Sequence, residues 1–139
     1  MRLVLDTNVL IGGPPVLEAG YEVSISSVTY AELEAGTRLA TSGAEKASRL
    51  RRLALVRATY GVGLPFDDRV ATSFGMLVEL VRGSGRVDRS RTADLMIAAT
   101  AHAYGADLMT HNLTDFDALD SVITVVNAAA GNEQESQGM

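Results

Sequence analysis

Leu3-Val4-Leu5-Asp6-Thr7-Asn8-Val9-Leu10-Ile11 opens the chain with three apolar residues, a polar triplet and three more apolar residues. A short apolar run stopped by a carboxylate predicts a buried strand that delivers Asp6 at its carboxyl end. Gly12-Gly13-Pro14-Pro15 breaks the chain after Ile11. Beyond the break, Tyr21, Val23 and Ile25 alternate with Glu22 and Ser24 as a second strand. Ser26-Ser27 then offer N-caps for a helix whose apolar positions are Val28, Ala31, Ala35 and Leu39, which puts Glu32 in its first turns.

The alternation continues. A helix over 44–59 is predicted with Ala47, Leu50, Ala54 and Ala58 on one face and Lys46, Arg49 and Arg52 off it. A short strand is expected over 62–64, and Asp67 caps a helix carrying Val70, Phe74, Leu77 and Val81 that ends at Gly83-Ser84-Gly85. Thr92 caps the next helix, with Leu95, Ala98, Ala99 and His102 on its face and Gly105 at its end, so Asp94 falls in the first turn. Strands are expected over 106–110 and 122–126, with a short helix near Asp115 between them. Strands alternating with helices imply an α/β fold in three layers, α/β/α, with a mostly parallel central sheet of four to five strands. Residues 1–130 form one domain on this reading, and 131–139 a loose polar tail.

Composition narrows the chemistry. Among 139 residues, 47% are hydrophobic and 21% charged, which suits a compact folded domain and excludes a disordered or fibrous chain. Twelve basic residues against seventeen acidic ones leave a net charge of −5, so the chain does not coat nucleic acid by overall charge. With no cysteine and two histidines, there is no disulfide or thiolate centre, and the chemistry must run on carboxylates and hydroxyls. The apolar run that ends at Asp6 is too short for a signal peptide, and no stretch approaches the roughly 20 apolar residues that span a bilayer. A cytoplasmic protein with no membrane partner is expected.

In parallel sheets, sites lie beyond the carboxyl ends of the strands. Asp6, Glu32, Asp94 and Asp115 all map to that rim. Singly, each has an ordinary reading: Asp6 as a turn cap, Glu32 in a capping box with Thr29, and Asp94 and Asp115 as complements to helix dipoles. Together they are costly, because two carboxylates about 5 Å apart at an effective dielectric near 20 repel by roughly 3 kcal/mol. Oxygen-only donors of this kind suit a hard divalent cation, Mg²⁺ or Mn²⁺.

The segments L-D-T-N-V-L (5–10), S-S-V-T-Y-A-E-L (26–33), D-L-M-I-A-A-T-A (94–101) and T-H-N-L-T-D-F (110–116) resemble, in order and spacing, the four motifs of PIN-domain ribonucleases, most closely the VapC-type toxins of toxin–antitoxin pairs. The resemblance implies an endoribonuclease in which Asp6, Glu32, Asp94 and Asp115 are the catalytic and metal-holding quartet, with Asp6 and Asp94 the principal ligands. It implies that Thr7, Asn8, Thr110 and Asn112 orient those carboxylates, and that a metal-activated water cuts RNA to leave 5′-phosphate and 3′-hydroxyl ends. His111 stands where the family more often has arginine. Among the basic residues, Arg86, Arg89 and Arg91 precede Asp94 closely and, with His111, are the candidates for holding RNA phosphates. His102 reads as a helix-face residue.

As a toxin, the chain would pair with a cognate VapB-like antitoxin whose basic segment blocks the acidic site. The apolar residues of the first two helices, including Val28, Leu39, Leu50 and Leu53, would serve that partner or a homodimer contact. Two rival readings share the strand-terminal Asp6: a haloacid-dehalogenase-like phosphatase and a non-catalytic receiver-like signalling domain. Both use a late-strand lysine, and the one lysine here is Lys46.

Overall fold

A computed structural model of the chain describes residues 1–12, 15, 17, 19–84 and 91–128. Arg86, Arg89, part of the Gly-Pro break and the 131–139 tail lie outside the described residues.

The elements run β1 (Arg2–Leu5), α1 (Thr7–Ile11), β2 (Glu22–Ser24), α2 (Ser27–Arg38), α3 (Gly43–Tyr60), α4 (Asp68–Gly83), α5 (Thr92–Ala103), β3 (Asp107–Thr110), a 3-10 helix (Leu113–Leu119) and β4 (Val125–Asn127). The strands form a four-stranded parallel sheet in the order β2-β1-β3-β4. From β1 the chain moves outward to β2, then crosses back to place β3 on the other side of β1. The carboxyl ends of β1 and β3 therefore flank the topological switch point, where open parallel sheets bind their ligands.

Alternation along the central strands divides the core in two. Val4 and Leu108 pack with Val70, Leu77 and Val81 of α4 and with Leu95, Ile97 and Ala98 of α5. Leu3, Leu5 and Met109 point the other way, onto Val9, Leu10, Tyr30, Leu33, Leu53 and Val56 of α1, α2 and α3. Two helical layers on opposite faces make the three-layer α/β/α architecture that the alternation of elements predicts. Helix α5 is buried nearly all round, and its run of alanines lets it sit close to both the sheet and α4.

Four expectations need correction. The segment 62–64 adds no strand to the sheet: Val62 is 93% exposed, and Leu64 alone forms a parallel bridge with Ser26, through Ser27 N–H to Leu64 O at 2.9 Å and Leu64 N–H to Ile25 O at 2.8 Å. A close approach explains the stop, since a Cβ at Gly63 would stand 2.8 Å from the Tyr30 ring. The last strand begins at Val125, not Val122, because the amides of Val122 and Ile123 are already taken by the carbonyl of Leu119. Thr92 is the first helical residue of α5 and not its cap; Arg91 holds the cap position without a side-chain capping bond. Finally, the buried face of α3 carries Leu53 and Val56, while Leu50 and Leu55 are 49% and 66% exposed. Similarly, α2 buries Thr29, Tyr30, Leu33 and Thr37, and its Leu39 end is open. The threonines are tolerated because their hydroxyls are bonded: Thr37 donates to Leu33 O at 2.9 Å, and Thr29 meets Thr7. The expected caps Ser26 and Asp67 do accept from the amides of Val28 and Val70.

Candidate active site

Asp6 leaves β1 in extended conformation and caps α1, so its side chain turns back over the end of the sheet. Its amide donates to Met109 O at 2.8 Å, tying the end of β1 to β3. One carboxylate oxygen, Oδ1, accepts from the Thr7 amide, and the other, Oδ2, from the Thr110 hydroxyl, both at 2.9 Å. Thr110 is fully buried, and its hydroxyl also accepts from the Asn112 amide at 3.1 Å and the Asn8 side-chain amide at 3.4 Å. Asn8 in turn accepts from the His111 amide at 3.3 Å. Four of the polar residues singled out in the sequence thus hold the two strand ends in one network, with Asn112 contributing its backbone and not its side chain.

Asp6 is 3% exposed. Burial raises its carboxyl from 3.8 to about 6; the Thr110 hydroxyl and Thr7 amide pull it back, while the charges of Asp94 and Glu32 push it further up. Asp94, in the first turn of α5, is also raised, first by burial and then by Glu32 and Asp115, against a lowering by Arg91. Asp94 is therefore raised by both outer acids and in turn raises Asp6.

Glu32 and Asp115 are held differently. Glu32 is exposed on α2 and accepts from the Thr7 hydroxyl at 2.7 Å; that hydroxyl also lies 3.1 Å from Thr29. The capping-box reading of Glu32 fails, since Ser26 is the cap and Thr29 sits inside the helix facing Thr7. Asp115 is half-buried on the 3-10 helix, where its amide donates to Asn112 O at 3.1 Å. Arg91 donates to the carbonyl of Asp115, and its Nε is buried without a partner among the described residues. His111 is exposed and lies over the end of α1, where a Cβ at Gly12 would come 3.4 Å from its Nε2. His102 faces α4, with Nδ1 2.8 Å from the Ser73 hydroxyl, on the helix face where the sequence puts it.

The structure thus brings the four acids to one rim from four elements. Among the described residues, no three Asp, Glu or His side chains close into a cage around a cation. An open set of carboxylates fits Mg²⁺ or Mn²⁺ nonetheless, because such ions keep several waters and bind through one or two carboxylates plus substrate oxygens. The buried Asp6, raised by desolvation and with no cation facing it among the described residues, supplies a negative charge that such an ion would neutralise.

Sequence reasoning missed three features. Thr29 completes the contact between α1 and α2. Ser26 and Thr100, both fully buried, meet at 3.3 Å where α2 begins against α5. Arg49 and Arg52 border a cleft of about 290 Å³ with Thr7 and Glu32. The first two carry a signal in hindsight, a hydroxyl set in an apolar helical stretch; the arginines belong to the basic group Arg49, Arg51, Arg52 and Arg57, which reads as a solvated helix face, and what the sequence does not show is that two of them border the rim.

The PIN domain family matches residues 3–122. Ribonuclease VapC4 of Mycobacterium tuberculosis (strain ATCC 25618 / H37Rv) is 32% identical over 126 residues, covering 87% of this chain and 93% of that protein. The crystal structure of VapBC-5 from Mycobacterium tuberculosis, a member of the VapBC family of toxin-antitoxin systems, superposes with a TM-score of 0.74 at 34% identity, over 91% of this chain and 96% of that one. FitAcB from Neisseria gonorrhoeae superposes with a TM-score of 0.71 at 28% identity, over 91% and 97%. Neither rival reading is favoured, and Lys46 lies exposed on α3 and not on a strand. With the four acidic motifs in order and their carboxylates gathered at the β1/β3 switch point, the chain belongs to the PIN-domain family, among its VapC-type members.

Proposed function

We propose that this rim is the active centre of a divalent-metal-dependent endoribonuclease, the toxin of a toxin–antitoxin pair. The observation that carries the reading is the buried Asp6 carboxylate, fixed by Thr7 and Thr110 and facing Asp94 and Glu32 across the switch point. Membership of the VapC type supports the ribonuclease class, and the relatives solved as VapBC and FitAcB support an antitoxin partner.

Asp6 and Asp94 would hold the ion, Mg²⁺ or Mn²⁺, with Glu32 and Asp115 beside it. When bound, it would supply the positive charge that makes water a better nucleophile and offsets the charge gathering on the phosphate oxygens. Thr110 and Thr7 keep the Asp6 oxygens aimed, and Asn8 keeps Thr110 in place. Glu32 or Asp115 takes the proton of the attacking water. Water attacks phosphorus, the bond to the 3′ oxygen breaks, and a proton passes to that oxygen, leaving 5′-phosphate and 3′-hydroxyl ends. Among the described residues no helix is long and apolar enough to cross a membrane.

An antitoxin with a basic segment would bind the same acids, since an arginine fork pairs with carboxylates where the ion sits. The exposed Ile11, Leu50 and Leu55 beside α1 and α3 offer apolar area for that partner or for a second copy of the chain. The test is cleavage of total RNA with Mg²⁺, with Mn²⁺ and with EDTA. Cleavage in either metal that EDTA and the co-expressed product of the neighbouring gene both abolish is expected. Equal cleavage in EDTA would overturn the metal mechanism.

A further inference from the structure

Two clefts with charged residues in their walls flank the carboxylate rim. The one on the Asp115 side has a volume of about 350 Å³, and its cation among the described residues, Arg91, donates to the Asp115 carbonyl and sets its charge against Asp94. The other, of about 290 Å³, has Thr7 and Glu32 on the α1/α2 side and Arg49 and Arg52 on the α3 side. Arg49 is committed as well, paired with Glu45 one turn earlier and donating to Gly36 O. Arg52 is half-buried, yet it has no carboxylate partner among the described residues. It also borders the apolar cleft of Leu10, Leu55 and Tyr60, which gives hydrocarbon for its stem to lie against.

An RNA strand laid across this rim meets four acids. The ion of the proposed mechanism would offset their charge at the reacting phosphate, but the neighbouring phosphate still needs a fixed positive group. The cleft holding Glu32 and Thr7 adjoins the rim directly, and Arg52 is its uncommitted cation. Guanidinium binds phosphate oxygens bidentately and stays charged at any working pH. We infer that Arg52 grips a backbone phosphate next to the one being cut, so that the RNA reaches the rim over α3. This rests on the ribonuclease reading, and it makes the α3 side the sequence-independent handle on the substrate. An acidic segment of a protein partner is the competing occupant. The phosphate is favoured because the cleft shares its Thr7–Glu32 wall with the reaction rim, which the substrate must cross.

The test compares Arg52→Gln, Arg52→Lys and Arg51→Gln, the last removing equal charge from an exposed position about 100° round the helix. A fluorescein-labelled, mixed-sequence single-stranded RNA is titrated in a salt series, and cleavage of total RNA is followed in parallel. For Arg52→Gln, the Kd and KM are expected to rise about five- to tenfold with kcat within about twofold, and the slope of log Kd on log salt to shrink by about 0.7. Arg52→Lys should restore the salt slope but only part of the affinity, and Arg51→Gln should behave as wild type. If the wild type cuts RNA while Arg52→Gln binds it unchanged, or loses only its antitoxin, this inference falls and the ribonuclease reading stands. If the wild type neither binds nor cuts RNA, both fall.

Discussion

The inner and outer halves of the carboxylate rim are built on different physical terms. Asp6 and Thr110 end adjacent strands, are 3% and 0% exposed, and have their oxygens bonded in a closed network. Glu32 and Asp115 sit on peripheral helical elements, exposed and half-buried, and Glu32 is anchored by the Thr7 hydroxyl. The inner half is desolvated and has its oxygens bonded, while the outer half stays in contact with solvent. A buried carboxylate with fixed oxygens suits holding an ion in place; solvated ones suit handling water and protons that must come and go. Asp94, half-buried and coupled to both halves, joins them.

The largest effect should come from the inner half. Asp6→Asn or Asp94→Asn is expected to lower RNA cleavage about a thousandfold or more, since an ion that stabilises charge contributes several kcal/mol. Asp94→Asn should at the same time raise the thermal midpoint of the chelated protein. Its carboxyl is held up by burial and by Glu32, so the ionised form destabilises the fold at neutral pH and an amide relieves it. Retained cleavage with a lower midpoint would return Asp94 to a helix-capping role.

Second in size is pH dependence. Asp6 is raised from 3.8 to about 6, so the folded chain binds this proton more tightly than the unfolded chain. The stability it contributes is complete below about pH 4 and is lost as pH climbs through about 6, a loss of about 3 kcal/mol. Urea unfolding of the chelated protein at about pH 4 and about pH 8 should show it, and Asp6→Asn should flatten the difference. Linkage requires added Mn²⁺ or Mg²⁺ to stabilise more at the higher pH, where it replaces the proton. A wild-type profile as flat as that of Asp6→Asn would show that the inner half carries no such strain.

Thr110→Val should come next, with cleavage and metal affinity falling about 10- to 100-fold, because it removes the hydroxyl that orients Asp6 and leaves the Asn112 amide without its acceptor. Since that hydrogen bond lowers the Asp6 carboxyl, its loss should move the acid limb of the activity profile to higher pH. The smallest effect belongs to the outer half. Asp115→Asn should cost about tenfold in cleavage and leave the chelated protein's midpoint within a degree or two, as expected for a solvated group. A loss as large as that of Asp6→Asn would erase the distinction between the halves.

Much of this site was legible in the chain because it depends on local rules. A strand that ends in an acid, a helix capped by Ser26, and Asp94 in the first turn of an alanine-rich helix need only periodicity and capping, and they bring Asp6, Glu32 and Asp94 to one edge. Local rules also misled in places. Leu50 and Leu55 are as apolar as Leu53, and only the way α3 packs against α2 exposes two of them and buries the third. Residues 62–64 have strand composition, but the close approach of Gly63 to Tyr30 leaves Leu64 a single bridge.

The amino-acid sequence alone determined the α/β class, the alternation of most elements and four candidate acids, because hydrophobic period and capping act over a few residues; the strand expected over 62–64 and the short helix α1 were settled by tertiary structure. Tertiary structure decided the strand order that sets Asp6 beside Thr110, residues 104 positions apart joined at 2.9 Å. It also decided the burial that raises Asp6 and the freedom that leaves Arg52 beside Glu32 without a partner among the described residues. Desolvation and pairing depend on which distant segments arrive at the same place, and no stretch of chain carries that information by itself.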